Sequence, residues 1–471
     1  MIRHILIAAL TSSALATSAA AQALEPVEAA LVGELSWANA DTPGCAVAVE
    51  RDGRRLATVV RGRASLEHAA PITADTIFEA GSVAKQFTAA AVMLLVQDGK
   101  LSLDDDVRSF IPELPDYGRP ITVRQLLDHT SGLRDWGALH ALAGWPRTTR
   151  VYTQADALDM IVRQRTLNYA PGTEWSYTNS GYNLAAMMVE RLSGQTFAAF
   201  TRQRLFQPLG MGSTGWRDDF RAVLPGRATA YSRDGGGWRQ EMPFEDAHGN
   251  GGLLTTVGDL LIWNQALEAD RFGLGTALTG RAMLTDGSPT NYGLGLFLEQ
   301  RPGRREVSHG GATAAYRAFA GRHWLSGEVA SDQAPVSTAV LCNAGSADAA
   351  RIARGAVDAV LGPPPPSPPA TLAAAPSGPA SPIGPADRAI AGRWTSDELG
   401  VDYLLEVTGE GALEVRIDRL PGSAAVWPRR SEDVWGEGGA TLQAVRDAEG
   451  RVAALSLSAP RVRDLRLQRA P

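Results

Sequence analysis

The chain has 471 residues, 44% hydrophobic and 20% charged, an ordinary globular composition and more than one typical domain holds. A formal net charge of −6 offers neither nucleic acid nor an anionic membrane a reason to bind. With two cysteines, no CxxC and no HExxH among seven histidines, the sequence carries no metal-site pattern and implies no cofactor.

Residues 1–23 read as a secretory leader. Arg3 and His4 give a short basic start, Ile5 to Leu10 begin an apolar region, and Ala19-Ala20-Ala21 offer an A-x-A cleavage pattern. No later segment has the run of about 18 apolar residues that spans a bilayer. The expectation is a periplasmic or secreted protein without a transmembrane segment. Leu24 to Ala38 has helical periodicity, and Cys45 to Glu50 and Leu56 to Val60 read as strands joined through Asp52-Gly53, a strong hairpin signal. Cys45 and Cys342 both lie in strand-like runs, GCAVAVE and STAVLCN. Export permits a disulfide, but the sequence reading prefers two half-buried thiols used as small hydrophobes.

The stretch that follows, FEAGSVAKQFTAAAVMLLVQDGK from Phe78 to Lys100, is apolar on nearly every face of a helix and stops at Gly99. Ser82 and Lys85 stand three apart at its start, so hydroxyl and amine share a face. Burial lowers a lysine pKa from about 10.4, and a neutral amine beside a hydroxyl is a general base beside a nucleophile. A bare S-x-x-K is weak evidence, since a chain this long contains roughly one by chance. Composition sharpens it: only Lys85 and Lys100 are lysines, and every other basic residue of that class is arginine, which cannot deprotonate. The bland alternative is a lysine snorkelling from an ordinary core helix.

Further along, Ile121 to Leu127 predicts a helix running into LLDHTSGL, where His129 is read as a turn stabiliser. Ala155 to Arg165 is helical and ends at Tyr169-Ala170-Pro171-Gly172; TEWSYTNSGY then leads into a helix reaching Ser193. Gly249-Asn250-Gly251-Gly252 precedes a helix capped by Thr256 or Asp259. Strand-like runs start at Tyr292 to Leu296 and include Glu306 to Gly311 and Val336 to Leu341, before a closing helix, Ala349 to Leu361. Strands at both ends of a helical middle predict an α+β fold over residues 24–361, an antiparallel sheet covered by helices. Residues 362–385 form a proline-rich linker, and 386–471 alternate as a small antiparallel β-barrel, with strands at Val401 to Val407, Ala412 to Ile417, Arg451 to Leu457 and Asp464 to Leu467. Gly392-Arg393-Trp394 resembles the G-x-W of lipocalin-like barrels.

Ser82-x-x-Lys85, Tyr177-x-Asn179 and His309-Gly310-Gly311, with LLDHTSGL between the first two, resemble the motifs of the penicillin-recognising serine hydrolases, which include class C β-lactamases, D-alanyl-D-alanine carboxypeptidases, D-aminopeptidases and related esterases. The resemblance covers roughly residues 27 to 361. It implies acyl transfer through a covalent acyl-enzyme: Ser82 attacks a carbonyl, Lys85 takes or relays its proton, and Tyr177 passes a proton to the leaving group. A phenol beside two basic groups is expected to ionise below its usual pKa of about 10. Asn179 is expected to hold a substrate amide and to cap the helix from Ser180. Gly310 and Gly311 place an edge strand against the substrate, and the backbone N–H groups of Ser82 and Ala312 form the oxyanion hole.

Where β-lactamases have Lys-Thr-Gly this chain has His309-Gly310-Gly311, so a permanent charge and a carboxylate-binding hydroxyl are both missing. A histidine there is familiar from D-aminopeptidases, D-peptidases and some esterases. The implied function is an exported serine hydrolase acting on amides or esters, with small peptide, ester or β-lactam substrates. The alternatives are a weak β-lactamase, a penicillin-binding sensor of peptidoglycan that does not turn over, and a barrel that itself carries the function as a ligand pocket. No G-x-S-x-G elbow is present, which argues against an α/β-hydrolase.

Overall fold

The computed structural model describes residues 25–147, 149–326, 333–365, 388–409 and 411–470. The expected leader and most of the proline-rich stretch lie outside the described residues. Six strands make the main antiparallel sheet: β1 (Cys45–Arg51), β2 (Arg54–Arg61), β3 (Phe297–Arg301), β4 (Arg304–Thr313), β5 (Tyr316–Leu325) and β6 (Val336–Cys342), in the order β3-β4-β5-β6-β1-β2. The β1–β2 turn has Asp52 and Gly53 both at positive φ, 52° and 68°, which matches the twist of a two-residue hairpin.

Both faces of this sheet are buried, and the pleat sorts its residues. Cys45, Val47 and Val49 join Val340, Leu31 of α1 (Glu25–Glu34) and Ile352 of α5 (Ala349–Leu361) in one apolar cluster. Ala46, Ala48 and Ala339 face the larger core, which holds α2 (Ala84–Gln97), α3 (Ser180–Ser193) and α4 (Val257–Glu268). Methyl side chains on that face let α4 lie close to β1 and β6. Helix α2 is buried from Ala84 to Val92 without a break, as its apolar sequence predicts, and Gly99 at φ 67° ends it.

Several expectations change on contact with the fold. Cys45 and Cys342 are register partners across β1 and β6 and form a disulfide, so the reading of two free thiols is corrected. Their separation of 297 residues hides a pairing that the strand order alone creates. Tyr292 to Leu296 is not strand: Gly293 and Gly295 turn that stretch tightly past Leu278 and α2, and pairing begins at Phe297. The helix expected at Ile121 starts at Val123, behind a Thr122–Gln125 capping box.

Residues 392–469 form a nine-stranded antiparallel sheet that curls on itself, so that its two edge strands, Ala425–Trp427 and Arg429–Ser431, are consecutive in the chain. The sequence reading misses these two, Gly392–Ser396, Val434–Glu437 and Ala440–Arg446, which are short or broken by exposed polar residues. Trp394, Leu405, Trp435, Leu455 and Leu465 fill its interior, contiguous with the core of the body. Among the described residues no helix is long and apolar enough to cross a membrane.

Candidate active site

Ser82 lies half-buried in a short 3-10 turn, Gly81–Val83, that runs straight into α2. Gly81 adopts φ 50°, turning the chain sharply from the strand Phe78–Glu79 into the helix. Strand β4 crosses this turn with no room to spare. A Cβ on Gly311 would lie 2.0 Å from the Ala80 carbonyl oxygen, and one on Gly81 would lie 2.8 Å from the Ala312 amide nitrogen. The backbone at Ser82 and at Ala312, the two amides expected to form the oxyanion hole, therefore lies in direct contact. Gly310 differs: a Cβ there meets only the Ala318 carbonyl, at 3.9 Å, so close approach needs Gly311 and not its neighbour. Beneath the turn, Glu79 accepts from Arg217 at 2.9 and 3.0 Å, and Glu245 joins Arg217 to Arg147. This buried chain of charges fixes the strand that delivers Ser82, and the sequence reading passes over it.

Lys85, one turn after Ser82 and the second residue of α2, is fully buried. Its Nζ is 3.2 Å from Ser82 Oγ, 2.9 Å from Asn179 Oδ1 and 2.7 Å from the Asn250 carbonyl oxygen. Burial pulls its pKa well below the usual lysine range; Asp135 opposes that shift, while Arg461 and Arg147 add to it. A neutral amine has two N–H donors and one lone pair. Asn179 and Asn250 offer only acceptor oxygens to it, which leaves the lone pair for the Ser82 hydroxyl. Asn179 thus stands at the N-cap position just before α3 without capping it through its side chain, a correction to the expected cap; its own amide is held by Asp135 Oδ2 at 2.7 Å.

Tyr177 stands over the pair, its ring centroid 4.8 Å from Lys85 Nζ. Burial raises its pKa above the ordinary phenol value, outweighing a hydrogen bond with Ser82 and the charge of Arg461. The expected easy ionisation is corrected: Tyr177 is half-buried on the cleft wall, and the loss of water there outweighs one polar contact and one partly screened charge, so the phenol is held above its ordinary pKa. His309 is buried, and its pKa falls to about 3. Its Nδ1 donates to the Gly310 carbonyl at 2.6 Å and its Nε2 accepts from the Tyr292 hydroxyl at 2.9 Å. It therefore touches Tyr177 by ring contact only, with centroids 6.0 Å apart, and carries no charge.

His129, read from sequence as a turn residue, occupies such a turn at φ 65° and also does more. Its carbonyl accepts from the Ser176 amide and the Tyr169 hydroxyl, its Nδ1 accepts from the Thr178 amide at 3.3 Å, and its ring packs 4.3 Å from that of Tyr177. The Tyr177 loop is in effect moulded on His129.

Ser82, Tyr177, Asn179 and His309 line a cleft of about 690 Å³ together with Trp175, Phe297, Arg147, Arg317, Asp348 and Arg461, while Lys85 and His129 lie buried behind its wall. Arg461 belongs to the barrel, at the turn between β7 (Val452–Ala459) and β8 (Val462–Arg469). Nothing in the sequence reading pointed to it, to Asp135 or to the Asn250 carbonyl; the glycine run around Asn250 was the only available signal. Among the described residues no cluster of histidine, cysteine, aspartate or glutamate could hold a metal ion.

Residues 25–361 match the β-lactamase family. A D-aminopeptidase of Brucella anthropi is 30% identical over 389 residues, 81% of this chain and 69% of that protein. A D-aminopeptidase from another strain of that species is 32% identical over 58% of this chain, which spans about half (52%) of that relative's length. Among solved structures, the octameric penicillin-binding protein homologue from Pyrococcus abyssi superimposes with a TM-score of 0.61 at 22% identity, covering 94% of this chain and 98% of that one. That likeness extends the shared fold through the barrel.

Proposed function

The chain belongs to the β-lactamase family and is a serine hydrolase of that family, and from this premise we propose that Ser82 cleaves amide bonds of D-amino-acid-containing peptides, and related small esters, through an acyl-enzyme. The observation that carries the reading is the fully buried Lys85 amine, 3.2 Å from Ser82 Oγ, with both its other partners acceptors. Ser82 Oγ bonds to the substrate carbonyl carbon as its proton passes to Lys85. The developing oxyanion meets the Ser82 and Ala312 amides, donors of a kind worth about 3 kcal/mol each. The C–N bond then breaks. The neutral Tyr177 phenol donates its proton to the leaving amine and is reprotonated by the Lys85 ammonium, so the product carries the tyrosine's proton, the serine's replaces it on Tyr177, and Lys85 is neutral again. Water repeats the sequence in reverse to release the acyl group. Asn179 orients the substrate amide, and His309, Gly310 and Gly311 form the strand edge along which it lies.

D-stereochemistry is proposed from the D-aminopeptidase relatives. Export to the periplasm or medium is proposed from residues 1–23, and the Cys45–Cys342 disulfide fits an oxidising compartment. The test is a panel of D- and L-aminoacyl p-nitroanilides, short p-nitrophenyl esters and nitrocefin, combined with fluorophosphonate labelling. The expected result is turnover of D-aminoacyl anilides and a label on Ser82, both abolished in Ser82→Ala. Labelling without product release would favour a sensor, and full activity in Ser82→Ala would end the proposal.

A further inference from the structure

The charges that face the cleft are unevenly committed. Arg147 is neutralised by Glu245, and Asp348 caps α5 by accepting from the Arg351 amide at 2.9 Å. Arg317 spends its Nη1 on the neutral carbonyls of Ala314 and Tyr316. Arg461 has an acid in reach, Asp135, but at 3.8 Å, beyond hydrogen-bond length. Asp135 is also already engaged, accepting the Asn179 amide at 2.7 Å and the Ala138 amide at 3.0 Å. The Arg461 side chain is 44% exposed and lies over the Tyr177 ring, guanidinium carbon to centroid 4.9 Å.

The backbone beneath that side chain is fixed. The Arg461 carbonyl accepts from the Asp135 amide at 3.3 Å and from Asn168 Nδ2 at 3.0 Å, while Asn168 Oδ1 accepts from the Arg463 amide at 2.7 Å. A rigid turn thus aims a cation into the cleft. On the opposite wall, the third motif offers an anion nothing: His309 is neutral with both ring nitrogens engaged, and Gly310 has no side chain. Of the arginines that line the cleft, Arg317 and Arg461 donate no hydrogen bond to a carboxylate among the described residues, and Arg461, paired with Asp135 only at 3.8 Å, is the one beside the proton donor.

We propose that Arg461 is the carboxylate anchor for the leaving half of the substrate, so that the enzyme prefers peptides whose released residue carries a free C-terminal carboxylate. The inference rests on the acyl-transfer reading above, in which Tyr177 protonates the leaving amine. The α-carboxylate carbon of a departing amino acid is two bonds from that nitrogen, which places it beside the Tyr177 ring that Arg461 covers. A guanidinium presents paired N–H donors matched to a carboxylate, and a planar face suited to stacking on the phenol. The charge of Arg461 already reaches the site, lowering the pKa of both Lys85 and Tyr177. The barrel therefore completes the substrate site from outside the body, replacing the anion-binding groups its third motif lacks.

The experiment compares D-alanyl-D-alanine with D-alanyl-D-alanine amide, and the same pair with an L residue in the leaving position, for the wild-type full chain, Arg461→Gln and Arg461→Lys. The wild type should favour the acid over the amide in kcat/KM by at least about tenfold. In Arg461→Gln that ratio should fall to within about threefold of unity, chiefly through KM for the acid, and Arg461→Lys should recover part of it. A flat ratio in the wild type, a ratio unmoved in Arg461→Gln, a ratio that responds to Arg317→Gln instead, or an equal fall in kcat on both substrates would overturn the anchor. Ser82 labelling and turnover of an uncharged D-aminoacyl p-nitroanilide by the wild type separate the two levels. If both are present and the ratio is flat, only the anchor fails; if both are absent, the acyl-transfer reading fails and takes the anchor with it.

Discussion

Where β4 crosses the Ser82 turn, backbone lies on backbone: Gly311 and Gly81 leave no space for a methyl group, and the nearest atoms are the Ala80 carbonyl and the Ala312 amide. Where the barrel meets the body, an apolar core runs across the seam and polar side chains bridge it. Arg134, almost fully buried, donates to Glu398 Oε2 at 2.9 Å, Thr166 Oγ1 at 2.8 Å and the carbonyls of Arg463 and Asp464. The Tyr403 hydroxyl reaches the Leu142 carbonyl at 2.6 Å, and Arg463 pairs with Glu174 at 2.7 Å. The first wall is set by excluded volume and admits one geometry, as catalysis demands of groups that must hold within a fraction of an ångström. The second adds separable polar contacts to a shared apolar core, so a residue it carries can be substituted without dismantling the nucleophile.

The largest effects are expected at the wall and its buried amine. Lys85→Met and Lys85→Arg should each lower kcat/KM by about 10²–10⁴-fold, and arginine should not rescue, because it cannot become a neutral base. The wild-type rate should also fall in acid: as pH drops through the depressed Lys85 pKa the amine gains a proton and ceases to be a base. A pH–rate profile whose acidic limb survives in Lys85→Met would detach that limb from Lys85.

Gly311→Ala comes next. It drives a methyl group into the Ala80 carbonyl and displaces the Ser82 amide, with an expected loss of about 10²–10³ in kcat and about 1–3 kcal/mol of stability. Gly310→Ala has open space and should lose far less, so equal losses in steady-state assays of the two variants would contradict the close-packed wall.

At the seam, Arg134→Ala removes a donor from the part-buried Glu398 carboxylate and from the Arg463 and Asp464 carbonyls of β8. A cost of about 1–3 kcal/mol is expected, because part-buried acceptors lose a charged donor while Glu398 keeps the Arg165 amide. It should appear in calorimetry as an early transition of the barrel, preceding that of the body; a single melt at the wild-type temperature would mean that apolar contact alone seats the barrel. The smallest effect belongs to the Arg463–Glu174 pair, both side chains about half exposed. Glu174→Gln should change stability by about 0–1 kcal/mol, and less at high salt. A larger change in denaturant midpoint would show that the seam is cooperative and not separable.

The same division governs how much could be read in advance. The apolar run from Phe87 to Leu95, the Asp52-Gly53 hairpin and the closing helix Ala349–Leu361 are local patterns, and they appear in the structure as such. Ser82, Lys85, Tyr177, Asn179 and His309 were legible as motifs, and the fold brings them to one cleft. Their charge states were less legible. Tyr177 was expected to ionise readily and is held neutral, and His309 loses its charge altogether, because desolvation depends on what packs around a group. Short barrel strands such as Val434–Glu437 escaped notice because a few residues with one half-buried face leave too weak an alternation to read.

What the sequence by itself determined was the chemistry within reach of one helical turn and one hairpin: a lysine three residues after a serine, a helix apolar enough to be buried, glycines where β4 must pass. What only the tertiary structure decided was everything carried by contacts distant along the chain. The disulfide across 297 residues, the Asn250 carbonyl on Lys85 and the arrival of Arg461 from the barrel depend on which strands and turns become neighbours. Local pattern fixes side-chain direction, whereas desolvation and long-range pairing are properties of the packed interior.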